Sequence, residues 1–379
     1  MLCLTLFWLS LPRTFGDERF FLKWTCLIKK SILGVDHKPL PKDILYIDVA
    51  GSKTLLDVPD PLYQEMTGFH HTSITDREQL SALINYISEY GENISLLVLD
   101  LTFEQASPAD SLFQECVSRF PFPLLGASRI QANGRLAPSV ITLPTAVASY
   151  LTTDNNFMKY PLFLADSLPT LPLVMLGILE KAQYKKRLFW PTVNGRISLA
   201  NPIIDFKIRP FDFNDSGNLE KEHFTVFSLG TLLFEWGFWD EADIRGILKD
   251  KLIIIGDFRE DVHQTVFGQL AGPVVLHNAY LTLKEGGNLI SWVWLLLFYL
   301  FFWWLSYRIT KESNDKRSVS PSNRSKTALG AILKDSIDEA FILVLATIVS
   351  YFVFNIHVNI LVLLLYLKTI SYFYSKLSR

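Results

Sequence analysis

Short runs of consecutive apolar residues recur along the first three quarters of the chain: DILYIDV at 43–49, ISLLVLDL at 94–101, PLLGA at 123–127 and LIIIG at 252–256. Each is too short for an ordinary helix and lacks apolar–polar alternation. Each therefore predicts a strand covered on both faces, as in a parallel sheet. Between these runs the apolar positions take a helical period. Thr75, Asp76, Arg77 and Glu78 have the spacing of a capping box. Beyond them Leu80, Leu83, Ile84 and Ile87 share one face of a helix running to Tyr90, with Gly91 just past its end. Ser107-Pro108-Ala109-Asp110 predicts a second helix start, with proline in the first turn and an acid at the positive end of the helix dipole. Residues 273–284 predict a third helix. This alternation predicts an α/β fold, a mostly parallel sheet flanked by helices, over residues 39–286. Within it, 138–218 is broken by prolines and carries short strand-like runs at 195–199 and 205–208, the mark of an added subdomain; 214–217 (NDSG) reads as a loop.

The pattern changes after Gly287. Residues 289–307, LISWVWLLLFYLFFWWLSY, contain no charge and four tryptophans toward the two ends. As a helix they would be about 28 Å long, close to the roughly 30 Å hydrocarbon thickness of a bilayer. Two further apolar runs, 340–356 and 358–374, are separated by Asn355, His357 and Asn359 and predict a helical hairpin; Lys368 lies where its stem can reach the far interface. The expected division is an N-terminal segment at 1–38, the α/β domain at 39–286, transmembrane helices at 287–308, 339–356 and 357–375, a loop at 309–338 and a tail at 376–379. The apolar stub 2–11 is too short to span and is followed by Arg13, Arg19, Lys23, Lys29 and Lys30, so Met1 is expected to truncate an anchoring helix.

Charge fixes an expected orientation. The whole chain of 379 residues is 49% hydrophobic, 20% charged and nearly neutral at −2. From Gly287 onward, however, ten basic residues face five acidic ones, a net +5, which leaves −7 on the first 286 residues. Seven of those basic residues lie within 308–334, so the positive-inside rule places that loop in the cytoplasm and the large domain outside. No basic stripe suggests nucleic-acid binding. Cys3, Cys26 and Cys116 are widely spaced, which argues against both a disulfide framework and a zinc knuckle.

Parallel sheets bind ligands beyond the carboxyl ends of their strands. Asp48, Asp100 and Asp257 fall there, and with Asp261 and His263 they form the candidate ligand-binding set. Such carboxylates can hold a cation or share a proton; the alternative is that they cap helices and tie loops to backbone amides. His70 and His71 read as part of a polar loop, and His277 as a helix residue at the core boundary. The chain lacks a phosphate-binding G-x-x-x-x-G-K-[ST] loop, a G-x-G-x-x-G turn, a G-x-S-x-G elbow and an H-E-x-x-H pair. No enzyme activity, cofactor or metal is therefore assigned.

Lys251, Gly256, Asp261, His263, Thr265, Gly268, Gly272, His277 and Asn278, within the run LKDKLIIIGDFREDVHQTVFGQLAGPVVLHNAYLTL, resemble the signature of the type-two CHASE domain. That family is an extracellular sensory domain associated with bacterial cyclases and histidine kinases. ILYIDVAGSKTL and LLVLDLTFEQASPAD resemble its first two strands, and the likeness covers residues 40–375. The resemblance implies an extracytoplasmic sensor domain followed by three transmembrane helices in a bacterial inner membrane. It supplies no ligand. Family members usually continue into an output domain, and none is encoded before Arg379, so the expected function is to relay an unknown small ligand or envelope signal to a separate signalling or envelope protein. The competing expectations are a non-switching envelope scaffold and an envelope hydrolase using the strand-end acids.

Overall fold

The computed structural model describes residues 2–12, 16–28, 38–59, 69–149, 157–188, 190–213, 223–318, 328–354, 356, 358 and 360–377. In chain order its strands are β1 (Ile44–Asp48), β2 (Lys53–Pro59), β3 (Phe69–Thr75), β4 (Leu96–Asp100), β5 (Leu124–Ser128), β6 (Thr145–Val147), β7 (Phe163–Leu164), β8 (Leu168–Pro169), β9 (Tyr184–Lys185), β10 (Thr192–Val193), β11 (Arg196–Ile197), β12 (Val226–Ser228), β13 (Leu252–Gly256), β14 (Val262–Thr265) and β15 (Gly268–Ala271). Its helices are α1 (Leu2–Leu9), α2 (Gly16–Ile28), α3 (Arg77–Tyr90), α4 (Asp110–Arg119), α5 (Leu171–Leu179), α6 (Leu229–Trp236), α7 (Glu241–Leu248), α8 (Gly272–Lys284), α9 (Trp292–Ser318), α10 (Ala328–Phe354) and α11 (Ile360–Leu377).

β12, β1, β13, β4, β5 and β6 lie side by side in that order and all run parallel. The expected α/β fold is present, and the reason is visible in the strand interiors. Successive side chains of a strand point to opposite faces, so a strand with helices on both sides must be apolar at every position. Tyr46, Val98 and Ile254 pack on one face in a core shared with α5 and α8, while Ile47, Leu99 and Ile255 pack on the other among residues of α3, α4, α6 and α7. Each such side chain contributes about 1.5–3 kcal/mol by leaving water.

The helix start after β3 differs from the expected capping box. Asp76, not Thr75, caps α3, its carboxylate accepting from the amides of Glu78 and Gln79. Leu80, Leu83, Ile84 and Ile87 are all buried, as the helical period requires. Gly91 ends α3 in an extended conformation, where a Cβ would meet the Ile87 carbonyl. α4 begins at Asp110, so Pro108 precedes the helix instead of occupying its first turn. His70 and His71 belong to β3, paired in register with Val58 and Asp57 of β2, not to a loop; their side chains lie outside the described residues. The expected loop at 214–217 also lies outside them.

In the middle section the run 195–199 contributes only β11, while 205–208 is no strand at all. Its backbone is bound by α8 instead. Asn278 accepts from the Ile208 amide and donates to the Ile208 carbonyl, both at 2.9 Å, and the Thr282 hydroxyl accepts from the Asp205 amide at 2.9 Å.

After α8 the apolar run is divided. Leu289 bridges to Ser198, and the Ile290 amide donates to the Ile197 carbonyl, so the first residues of the uncharged stretch belong to the domain edge and the helix starts at Trp292. Among the described residues, no helix is long and apolar enough to cross a membrane. The inner faces of α1, α9, α10 and α11 form their own apolar cluster around Trp294, Phe298, Phe302, Leu343 and Leu363. α9 continues to Ser318, into the expected basic loop.

Candidate functional site

The carboxyl ends of the central strands, the β2–β3 hairpin and the N-terminus of α8 surround a crevice of about 830 Å³. α8 approaches this edge closely because β13 ends in Gly256, where a Cβ would lie 2.5 Å from Cγ of Pro273. A crevice of this size at this edge of a parallel sheet suits a small molecule.

The five candidate residues divide by position. Asp100, the last residue of β4, Asp257 and Asp261 line the crevice. Oδ2 of Asp100 is closed to solvent and takes no hydrogen bond among the described residues. Burial, reinforced by the nearby Asp261 charge, pushes the Asp100 carboxyl up to about 8. Asp257 is the opposite case. Its Oδ1 accepts from the amides of Arg259 (3.0 Å) and Glu260 (2.8 Å), and its Oδ2 accepts from Nζ of Lys53 at 2.7 Å. Burial opposes its charge, but the Glu260 amide, the Lys53 ammonium and the Arg259 amide outweigh it and hold the carboxyl below the usual range.

Asp48 is buried away from the crevice lining. Its Oδ1 accepts from the amides of Ala50 (2.9 Å) and Phe258 (3.0 Å), and Nε of Arg259 lies 3.3 Å from its Oδ2. It ties the loops after β1 and β13 together, which is the loop-tying alternative for such an acid. His263, on β14, also lies outside the lining; its Nε2 is 2.8 Å from Oδ1 of Asp261 and its ring is 5.7 Å from that of Phe157. Among the described residues no group of three or more His, Cys, Asp or Glu side chains is placed to hold a metal ion.

Sequence reasoning passed over Lys53, Glu104 and Arg129, which also line the crevice, as does Gly272 of the signature-like run. Arg129 directly follows β5 and makes two hydrogen bonds to Glu104, at 2.8 and 3.1 Å. The signal was available for Arg129, since it stands two residues beyond the apolar run 123–127, close to where Asp257 stands after 252–256. Lys53 reaches the crevice from a hairpin whose pairing the apolar pattern does not announce. Gly272 is shaped by Asp261: a Cβ there would collide with the Asp261 carboxylate, and the Gly272 amide donates to the Asp261 carbonyl at 2.7 Å. The carboxylate thus occupies the N-terminus of α8, where the helix dipole favours negative charge.

α8, about 20 Å long, leads away from the crevice. Midway, His277 is fully buried, not at the core boundary, with Nδ1 2.6 Å from the Tyr46 hydroxyl. Burial, with a smaller effect from Lys284, pushes its imidazole down to about 3, so it is neutral at physiological pH. At the far end a polar joint closes against two N- and C-terminal helices. Nζ of Lys207 lies 3.1 Å from Asp205 and 3.0 Å from Glu285, just past α8. Asp205 Oδ1 is 3.4 Å from Sγ of Cys26 on α2, which is 3.4 Å from the Tyr351 hydroxyl on α10. Nearby, Lys159 and Glu18 of α2 form a second buried pair at 3.1 Å.

No family model, no curated protein and no solved structure matches the chain. Function must therefore be argued from the geometry of the crevice and the joint.

Proposed function

We propose that the chain is a membrane-bound, receptor-like sensor whose α/β domain takes a small ligand in the crevice and relays its binding to a separate partner through the terminal helices. The observation that carries this reading is the course of α8. Its first residue lines the crevice, and its last turn and the residue after it are packed with Lys207, Asp205 and Tyr351. A ligand that favours one arrangement of the crevice over another can bias the terminal helices through a single buried element. The same reading keeps the type-two CHASE likeness as a proposal about ancestry.

Membrane placement rests on the sequence and on exposed surface. Trp292, Val293, Leu296, Leu297, Trp303 and Trp304 of α9 are exposed, as are Phe341, Leu345 and Val353 of α10, an apolar surface that needs a covering. With the charge asymmetry, this supports a multi-pass inner-membrane protein with residues 39–286 outside the cytoplasm. The test uses Leu188, 90% exposed on the domain surface, as a labelling point. In cells with a permeabilised outer membrane, a membrane-impermeant maleimide should label Leu188→Cys in the membrane fraction. Labelling only after the inner membrane is broken, or recovery of the protein in the soluble fraction, would overturn the placement.

A further inference from the structure

Resting on the reading of the crevice as a ligand site, we propose that its ligand is a small organic cation, a primary amine whose ammonium group is bound by Asp100 with Asp261 beside it. The charges that line the crevice are Lys53 on β2, Glu104 after β4, Arg129 after β5, and Asp257, Glu260 and Asp261 after β13, together with Asp100. Both cations already have partners. Lys53 lies 2.7 Å from Asp257 and 3.5 Å from Glu260, and Arg129 is paired with Glu104. What remains is negative. Among the described residues Asp261 pairs with His263 at 2.8 Å, and Asp100 makes no ion pair.

The usual attraction of such an edge for anions is absent. The N-terminus of α8 is where a phosphate or carboxylate ligand would sit, and the Asp261 carboxylate lies against it. An incoming anion would meet the Asp261 carboxylate and, among the described residues, no unpaired cation in the lining. An ammonium group would instead find Asp100 in the lining, a residue whose carboxyl has a buried oxygen without a hydrogen-bond partner among the described residues, and a buried polar atom without a partner costs about 1–3 kcal/mol. Thr72, Ser73, Thr102 and Ser149 add hydroxyl groups around the same space for the polar remainder of the ligand.

The raised Asp100 carboxyl gives the proposal a signature. Without ligand, Asp100 holds a proton below about pH 8. An arriving ammonium favours the carboxylate and releases that proton, so affinity should fall by up to about tenfold for each pH unit below 8.

The experiment is calorimetry on the full chain in lipid nanodiscs, with putrescine and agmatine as cationic probes and citrate as the anionic one. The proposal expects heat with an amine probe, a dependence on buffer ionisation heat showing proton release, and affinity rising from pH 6 to pH 8. Asp100→Asn should lower that affinity at least tenfold and abolish its pH dependence. Asp261→Asn should weaken it severalfold while leaving proton release in place. Both variants are checked for folding by thermal unfolding. Citrate binding without amine binding, or amine binding that Asp100→Asn leaves unchanged, overturns the cation assignment; the ligand-crevice reading survives citrate binding. No heat from any of the three overturns both.

Discussion

At the N-terminal end of α8, Asp100 and Asp261 face an open crevice, and Oδ2 of Asp100 has no hydrogen-bond partner among the described residues. At the C-terminal end, Asp205 and Glu285 are matched by Lys207, whose side chain is only 5% exposed, and Asp205 is further satisfied by Cys26. The same residue types therefore serve opposite purposes within one helix length. A buried ion pair with its hydrogen bonds complete specifies how segments meet, and removing either partner leaves a charge stranded. An acid left incomplete beside open volume is costly to folding unless something completes it. Lys207 illustrates the contrast: burial alone would lower its ammonium, yet Asp205 and Glu285 raise it above its ordinary value.

The contrast predicts a graded series. Lys207→Met should cost the most, about 3–5 kcal/mol in chemical denaturation, because Asp205 and Glu285 lose their cation. A loss under 1 kcal/mol would mean that the joint is looser than its distances indicate. Tyr46→Phe, between the two ends, removes the hydroxyl at Nδ1 of His277 and should cost about 1–3 kcal/mol. At the crevice the sign reverses. The folded state raises the Asp100 carboxyl from 3.8 to about 8, so the folded chain binds more protons than the unfolded one between those values. Its contribution is fully present at low pH and is lost as pH rises through that window. Asp100→Asn should therefore gain stability relative to the parent chain as the pH rises from 4 to 8. A gap that stays constant from pH 4 to 8 would show that Asp100 ionises normally. The smallest effect belongs to Lys53→Met, whose ion pairs are partly exposed and worth up to about 1 kcal/mol.

The layered core was legible because burial on both faces leaves no choice of residue: every position of LIIIG is buried, and its strand has the bounds that the apolar run implies. The strand-end acids were legible for the same reason, since the end of an apolar run marks the edge of the sheet. Their division into Asp48 and Asp257, which tie loops, and Asp100, whose Oδ2 has no partner among the described residues, was not. That depends on which amides and cations the loops after β1 and β13 deliver, and those contacts join residues some 200 positions apart. The joint was hidden for a different reason. Asp205 and Lys207 sit in a short run that reads as a strand, and only docking against Asn278 and Thr282 withdraws it from any sheet. The uncharged run at 289–307 likewise conceals that Leu289 and Ile290 are bonded to the domain edge.

The central claim is that the crevice and the joint are two ends of one responsive element. Hydrogen–deuterium exchange on the full chain in nanodiscs, with and without saturating putrescine, tests it most directly. The account predicts slowed exchange at 100–105 and 257–272 in the crevice and, together with it, altered exchange at 280–288 and 345–354 around the joint. Protection confined to the crevice, with the joint unchanged, would contradict the relay.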